Sequence, residues 1–296
     1  MGAVSGKNNV GGVAGLSNGS ITNALWANDL SYKPETGKTA PNWAVGNIVD
    51  SDKGETLATM KQAATYESWK DDSGREIVAA TGGAGTAWRI YAGNTTPLLT
   101  SFFKGVVTVT GLDNRTVTYN GTTQKADLSG VTYSPADIDT GHILTGVRNV
   151  GAYSAIYSDQ QGYDLVDSGN HTLTITPLAL QATLTGKTGN TYVFTKTYDG
   201  TNSVTKDLVL GTTYTFDNAV SGDTVSIAAN SSGIYANKNV GDDKTITFTG
   251  ITLTGADAGN YTIATTLSGN VGQITKKNIT ASLNAVSGGT YVFTRE

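Results

Sequence analysis

This 296-residue chain has no cysteine and only two histidines, His142 and His171. Without cysteine it cannot build the disulfide framework that many secreted domains use. Two distant histidines and no thiolate also exclude a structural zinc site of the usual composition. The absence of cysteine does not decide the compartment, because it fits both cytosolic proteins and bacterial proteins that cross two membranes before they fold.

Charge is also scarce, at 15% of residues with a net charge of −4. That balance leaves no basic surface for a nucleic acid, so we expect no nucleic-acid partner. No apolar run approaches the roughly 20 residues of a membrane-spanning helix. The first residues, Met1-Gly2-Ala3, lack the pattern of a signal peptide, so an exported protein would need its targeting segment upstream.

Glycine and threonine are abundant, with 37 glycines, whereas leucine, lysine and glutamate are thin. This composition is typical of many short strands joined by glycine turns. We therefore predict an all-β chain.

One stretch of sequence occurs twice. Residues 191–195 read Thr-Tyr-Val-Phe-Thr, and residues 290–294 repeat these five letters. The two copies lie 99 residues apart, as do Ile175 and Ile274. A fixed period of this kind indicates a tandem array, and we expect the chain to be a piece of a longer protein.

Residues 1–104 are predicted to form the end of a parallel β-solenoid with a capping segment. Glycines punctuate short apolar pairs near the start, which suits solenoid corners with Val10 and Val13 facing inward. Residues 59–69 read as a short helix with Leu57, Met60 and Ala64 on one face. Two later aromatic residues are predicted to be buried in the cap, Trp69 and Trp88.

After residue 104 the pattern predicts small β-sandwich or β-grasp-like repeats. We place them at 105–177 and 178–276, with 277–296 as the opening hairpin of a truncated third repeat, built from residues 278–283 and 290–294. A further hairpin is expected from 106–110 and 116–119. The borders leave almost no linker, so we expect a stiff rod.

The two repeats share landmarks in the same order. Tyr119-Asn120-Gly121 corresponds to Tyr198-Asp199-Gly200, and Asn149-Val150-Gly151 corresponds to Asn239-Val240-Gly241. Tyr119 and Tyr198 are predicted to be core residues, and Asp199-Gly200 is predicted to form a turn.

Motifs that could carry chemistry are weak, and we expect no catalytic residues. Gly15-Leu16-Ser17-Asn18-Gly19 has the spacing of a nucleophile elbow but lacks the flanking helix and a nearby histidine. The acidic pairs Asp71-Asp72, Asp137/Asp139 and Asp242-Asp243 are candidate calcium ligands without the spacing of a calcium loop. We therefore expect no metal site and no cofactor.

Four tryptophans fall in the first hundred residues, and tryptophan stacks on sugar rings. The candidate glycan contacts are Trp26 and Trp43. The competing interpretation, which we prefer, is that the tryptophans form the core of the cap.

The sequence resembles large bacterial adhesins of the filamentous-haemagglutinin type. The segment around Gly11-Gly12-Val13-Ala14-Gly15 is similar to the GLUG motif, and the Tyr-x-Gly and Asn-Val-Gly landmarks are similar to MBG and YDG repeat domains. This chain has Ala14 where the GLUG family usually has valine.

The resemblance implies a protein exported by two-partner secretion and held on the outer surface of a Gram-negative cell. Its expected role is the structural stalk of an adhesin for attachment or biofilm formation. The implied partners are an outer-membrane secretion protein, adjacent repeats or neighbouring chains, and a host or matrix receptor bound by another part. The alternative is a glycan-binding module that uses the tryptophan-rich first domain.

Overall fold

The structure is a computed structural model that describes residues 26–27, 54–69, 78–83, 87–229, 231–280, 282–285 and 291–294. It divides into two compact units. The first comprises residues 1–118 with 122–176, and the second comprises residues 119–121 with 177–296. In the described ranges the chain is mostly β-strand with one four-residue α-helix, so the predicted all-β class is confirmed.

The first unit contains strands β1 to β13 and the helix α1. The strands are β1 Trp26–Ala27, β2 Gly54–Glu55, β3 Val78–Ala79, β4 Trp88–Arg89, β5 Leu98–Leu99, β6 Val106–Thr110, β7 Arg115–Thr118, β8 Thr132–Ser134, β9 Ile143–Leu144, β10 Gly151–Ser154, β11 Tyr157–Ser158, β12 Asp164–Asp167 and β13 Thr172–Thr176. Helix α1 is Leu57–Met60, and short 3-10 turns span Ala63–Tyr66, Thr100–Phe102 and Thr140–His142.

The described part of this unit contains three three-stranded sheets, with strand orders β3-β4-β5, β12-β6-β8 and β10-β13-β7. Side chains along β6 alternate, with Val107 and Val109 buried and their neighbours exposed, as a strand with one buried face requires. Leu165 of β12 and Tyr91 join these valines in one apolar core.

The predicted helix over residues 59–69 is wrong in extent. Helix α1 begins after Thr56, whose hydroxyl caps the amide of Thr59, and it ends at Met60. The hydroxyl of Tyr66 then donates to the carbonyl oxygen of Met60 at 2.7 Å, which occupies an acceptor that a longer helix would use. Met60 is buried and Leu57 half-buried as predicted, whereas Ala64 is exposed.

The predicted hairpin between 106–110 and 116–119 is also wrong. β6 pairs in parallel with β12 and antiparallel with β8, whereas β7 pairs in parallel with β13 of the other sheet. The side chain of Asn114 explains the divergence, because its Oδ1 accepts from the amide of Thr172 at 2.8 Å. This contact anchors the turn beside the start of β13 rather than beside β6.

The second unit contains strands β14 to β27. They are β14 Leu178–Ala179, β15 Ala182–Leu184, β16 Lys187–Thr188, β17 Thr191–Tyr192, β18 Phe194–Thr197, β19 Tyr214–Phe216, β20 Ser226–Ile227, β21 Ser232–Tyr235, β22 Gly241–Thr249, β23 Leu253–Thr254, β24 Tyr261–Thr262, β25 Thr266–Thr275, β26 Ser282–Ala285 and β27 Tyr291–Thr294. A 3-10 turn spans Ala258–Asn260.

A four-stranded sheet of order β18-β25-β22-β21 is the frame of this unit. Its buried face carries Phe194, Tyr235, Ile246 and Ile274. Gly272 of β25 lies under this cluster, where an added Cβ would lie 2.6 Å from the Tyr235 ring and 2.8 Å from Ile246. The strand can cross the core at this point only without a side chain.

The segments 105–176 and 178–275 share five strand pairings in the same order. In each, a first strand pairs in parallel with a late strand, as in β6 with β12 and β14 with β24. In each, the strand before Tyr-x-Gly pairs in parallel with the last strand, as in β7 with β13 and β18 with β25. Three antiparallel pairs of the first segment also have counterparts in the second: β10–β13 corresponds to β22–β25, β9–β11 to β20–β23, and β6–β8 to β15–β19.

β26 and β27 form an antiparallel pair in which Ser282 faces Thr294 and Ala285 faces Tyr291. The second strand agrees with the predicted hairpin of residues 278–283 and 290–294, but the first begins four residues late, at Ser282.

Among the described residues no helix is long and apolar enough to cross a membrane. The predicted solenoid lies mainly in residues outside the described ranges, and the four-part division of the chain stays a prediction.

Replacing Phe194 tests which side chains hold the second unit together. Phe194 is fully buried (0% exposed) in the sheet core. Phe194→Ala should lower the free energy of unfolding of this unit by about 3–5 kcal/mol, because it leaves a cavity. The exposed Val209 provides the control, since Val209→Ala should change stability by less than about 0.5 kcal/mol. Denaturant titration measures both, and equal effects would contradict the assignment of the core.

Candidate functional site

A buried guanidinium organises the first unit. Arg89 of β4 is 4% exposed, and its Nε donates to Oδ1 of Asp164 at 3.1 Å. Its remaining donors reach the backbone carbonyls of Ala79, Ala80, Ile90 and Leu165. Asp164 is held in turn by the amide of Gly83 at 2.7 Å. Because both charges of this pair are held by partners inside the fold, the cluster fastens residues 78–83 and 87–91 to β12 and offers no free group for chemistry.

Tyr91 extends this cluster into the apolar core. The Arg89 guanidinium lies 4.0 Å from the centre of the Tyr91 ring, and the Tyr91 hydroxyl accepts from the amide of Leu165 at 2.9 Å. Burial raises the pKa of Tyr91 to about 12, a shift that the nearby Arg89 charge opposes. The Trp-Arg-Ile-Tyr stretch is therefore a structural element whose arginine, rather than its tryptophan, makes the strongest contacts.

The tryptophans are less central than predicted. Trp69 and Trp88 are half-buried rather than buried, and they pack against Tyr66, Val78 and Ile90. Trp26 begins strand β1, which pairs in parallel with β2, but its side chain lies outside the described residues. Trp43 also lies outside them, so the two candidate glycan contacts stay predictions. Ser17 and its glycine motif lie outside them as well.

Three of the candidate calcium ligands that the structure describes, Asp139, Asp242 and Asp243, are held by protein donors. Asp139 accepts from Lys104 Nζ at 2.8 Å and from the amide of Gly141 at 2.9 Å. Asp242 accepts from Gln273, and Asp243 accepts from the hydroxyl of Tyr192. Within the described ranges no group of three or more His, Asp or Glu side chains is arranged to hold a metal ion. Asp71 and Asp72 lie outside these ranges.

The Tyr198-Asp199-Gly200 motif forms a tight turn at the end of β18. Lys196, whose side chain is largely buried, donates from Nζ to both Asp199 oxygens, to Thr201 Oγ1 and to the carbonyl of Ser203. The hydrogen bond from Lys196 and the amide of Thr201 lower the pKa of Asp199 to about 2. Gly200 has φ = +84°, so the predicted role of Asp199-Gly200 as a turn agrees with the geometry.

The other Tyr-x-Gly motif is bound in a pocket of the second unit. Tyr119 is 1% exposed, and its hydroxyl donates to Oδ2 of Asp223 at 2.6 Å. The hydroxyl of Tyr261 donates to the same oxygen, also at 2.6 Å. The two rings meet edge to face, with their centres 5.4 Å apart. Asp223 thus accepts two charge-assisted hydrogen bonds from a pair of packed tyrosines.

Val220 completes this pocket, which we call the tyrosine site and define by Val220, Asp223 and Tyr261. The amide of Val220 donates to the Tyr261 hydroxyl at 3.1 Å. An added Cβ on Gly121 would lie 2.3 Å from Val220 Cγ1, and Gly121 has φ = +77°. Both the space and the backbone conformation therefore require glycine at the third position of this motif.

The tyrosine site is suited to recognition rather than to catalysis. Burial, followed by the hydrogen bond to Asp223, raises the pKa of Tyr261 to about 12. Neutral phenols paired with a carboxylate hold geometry and make no nucleophile at neutral pH. Sequence reasoning missed Asp223 and Val220 entirely.

These features define an all-β unit built around a Tyr-x-Gly turn and a parallel strand pair. Residues 182–269 match the family model of the YDG domain, so the second unit contains a YDG domain. No curated protein and no solved structure matches the chain significantly.

Removing one hydroxyl from the tyrosine site tests its contribution. Tyr119→Phe should lower the free energy of unfolding of the second unit by about 1.5–3 kcal/mol, the usual contribution of a hydrogen bond to a charged group. Tyr198→Phe removes the same atom from the half-buried counterpart and should change stability by less than about 0.5 kcal/mol. Thermal or denaturant unfolding compares the two variants. A Tyr119→Phe chain as stable as the unsubstituted chain would show that the site contributes nothing.

Alkaline pH should destabilise the second unit between about pH 10 and 12. The pKa of Tyr261 is raised to about 12 in the folded state, whereas an unfolded tyrosine ionises near 10. Because the folded pKa is the higher one, the stabilisation is complete below pH 10 and is lost as the pH rises towards 12. Denaturant unfolding at several alkaline pH values measures the slope, and Tyr261→Phe should reduce it. An unchanged slope in that variant would contradict the assignment.

Proposed function

We propose that this chain is a segment of the structural stalk of a bacterial surface adhesin, which projects a binding tip away from the cell. YDG domains occur in some surface or adhesin-like proteins, which supports this role. The tip that binds a host or matrix receptor would lie in another part of the protein. Export would use an outer-membrane secretion partner, and the GLUG-like first segment would form the end of a solenoid.

The observation that carries the proposal is the parallel pairing of an early strand with the last strand of the YDG domain. β18 and β25 run in parallel from Phe194 opposite Gly272 to Thr197 opposite Thr275. The amide of Tyr198 extends the ladder by donating to the carbonyl of Thr275 at 2.9 Å. The first unit repeats this arrangement with β7 and β13.

Pairing an early strand in parallel with the last strand of a domain has a mechanical consequence. The chain enters β18 at one end of the pair and leaves β25 at the opposite end. Tension applied to the two termini of the domain therefore slides the strands along each other and loads all their hydrogen bonds together. An antiparallel terminal pair would instead be peeled apart one bond at a time. Such domains suit a stalk under tension.

Force spectroscopy on the purified chain tests the load-bearing role. Tyr198→Pro removes the amide that donates to Thr275, whereas Tyr198→Ala removes a similar amount of side chain and keeps that amide. The proline variant should unfold at clearly lower force than the alanine variant. Equal unfolding forces would contradict a role of this ladder in bearing load.

Immunolabelling tests the location separately. An antibody raised against this chain should label intact cells that produce the protein as strongly as permeabilised cells. An antibody against a cytosolic marker is the control for cell integrity. Labelling that requires permeabilisation would overturn the surface role.

A further inference from the structure

The second unit carries its own Tyr-x-Gly motif, Tyr198-Asp199-Gly200, at the position that corresponds to Tyr119–Gly121. Thr118 pairs with Thr176 immediately before Tyr119, and Thr197 pairs with Thr275 immediately before Tyr198. The two motifs are therefore equivalent by strand register and not only by their letters.

Their surroundings differ. Tyr119 is 1% exposed in the tyrosine site, whereas Tyr198 is half-buried, with one part packed against the core of the second unit and another lining an open depression. Gly121 is crowded by Val220 at 2.3 Å, but an added Cβ on Gly200 would meet no atom within 4 Å. The space that Val220 fills beside the first motif is thus open beside the second.

The residues that follow each last strand differ in the same way. Leu180 and Ile279 lie 99 residues apart and hold equivalent positions in the repeat. Leu180 is 6% exposed in the core of the second unit, whereas Ile279 is 65% exposed. Val240, which belongs to the Asn-Val-Gly landmark, is 44% exposed beside it.

These exposed groups lie around one open depression of about 700 Å³. It is lined by Tyr198, Val240 and residues 276–280. Ile279 and Val240 expose apolar surface beside Tyr198, and Lys276 and Lys277 add positive charge to the same lining, which suits a partner that carries a carboxylate. The filled tyrosine site shows what such a motif meets: its tyrosine meets a carboxylate and a second tyrosine ring, and its glycine lies against a valine.

We propose that this depression is a docking surface for the tyrosine site of a further YDG domain. Tyr198 would donate to the counterpart of Asp223 and pack against the counterpart of Tyr261, while the counterpart of Val220 would cover Gly200. Ile279 would be buried by the domain that it opens, as Leu180 is. Each YDG domain then holds a Tyr-x-Gly turn in its tyrosine site and offers its own turn to the next. The inference deepens the proposed stalk and rests on its linear array.

A chain lengthened in register tests the proposal. Glu296 corresponds to Thr197, so residues 198–296 added directly after Glu296 continue the period of 99 residues. The complete chain is retained, and the added segment supplies a second tyrosine site. Hydrogen exchange at residues 239–241 and 276–280 should slow by at least about tenfold relative to the 296-residue chain, because docking closes this surface.

Two matched variants of the lengthened chain separate docking from mere added mass. Asp223→Asn together with Tyr261→Phe, both placed only in the added copy, should return exchange to the rate of the 296-residue chain. Tyr198→Phe in the original copy should do the same. Unchanged exchange in a lengthened chain whose added copy protects its own core amides would overturn the proposal.

If the added copy does not fold, the unlengthened chain decides the question. The double variant Tyr119→Ala/Tyr198→Ala vacates the tyrosine site and lacks a Tyr198 of its own, so only Tyr198 of an intact chain can fill it. Analytical ultracentrifugation of the mixture should show a heterodimer, and Tyr198→Ala in the intact partner should abolish it. A folded double variant that forms no dimer, or a dimer that survives Tyr198→Ala in the intact partner, would overturn the docking surface. If antibodies label intact cells but the lengthened chain shows no protection from hydrogen exchange, this inference alone is refuted. If the lengthened chain shows protection but intact cells are not labelled, the proposed function alone is refuted.

Discussion

The parallel pairing of an early strand with the last strand is the interaction on which both units depend. It joins residues far apart in sequence, because Phe194 faces Gly272 and Arg115 faces Leu173. The middle of each repeat is thereby closed into one long loop. The antiparallel strands β22 and β10 then add to the other edge of the same last strand. Phe194 of β18 meets Ile246 of β22 and Ile274 of β25 in one core because these strands are neighbours in this sheet.

Because the chain has few charged side chains, several of them serve to hold one segment of the fold to another. Arg89, Lys196 and Asp223 are each surrounded by several hydrogen-bond partners. Arg89 fastens an irregular segment to a strand, Lys196 fastens a turn, and Asp223 fastens a tyrosine. Because the described part of the chain has so little regular helix, these polar clusters hold the loops that helix packing holds in other folds. Removing one partner would leave a buried charge, which is costly.

The fold class, the equivalence of the two Tyr-x-Gly motifs and the YDG domain could be predicted from the sequence, because they depend on composition and on residues that recur at a fixed period. The pairing partners of the strands could not. Residues 106–110 and 116–118 look like a hairpin because they are close in sequence, and nothing local in their pattern shows that each pairs with a strand more than fifty residues away. The helix predicted over residues 59–69 was too long for a similar reason. The Tyr66 hydroxyl, which donates to the carbonyl oxygen of Met60 at the end of helix α1, comes from outside that helix.

The tyrosine site could not be predicted from the sequence either. Tyr119 was expected in a core, and it is buried, but Asp223 lies in a loop over one hundred residues later with no motif around it. A single aspartate in a Gly-Asp turn is indistinguishable from a solvated one until its neighbours are known. The crowding of Gly121 by Val220 is of the same kind, because a glycine required for close approach reads the same as a glycine in any turn.

The parallel ladder also fixes the order of events during synthesis. Because β25 is the last strand of its repeat, β18 has no partner until residue 275 has emerged from the ribosome or from any other narrow passage. Closing a loop of that length costs entropy and slows folding. A chain that emerges N-terminus first can therefore form local pairs such as β21–β22, but it cannot close the parallel ladder until nearly the whole repeat has emerged. Each closure then shortens the emerged chain and opposes its return through the passage.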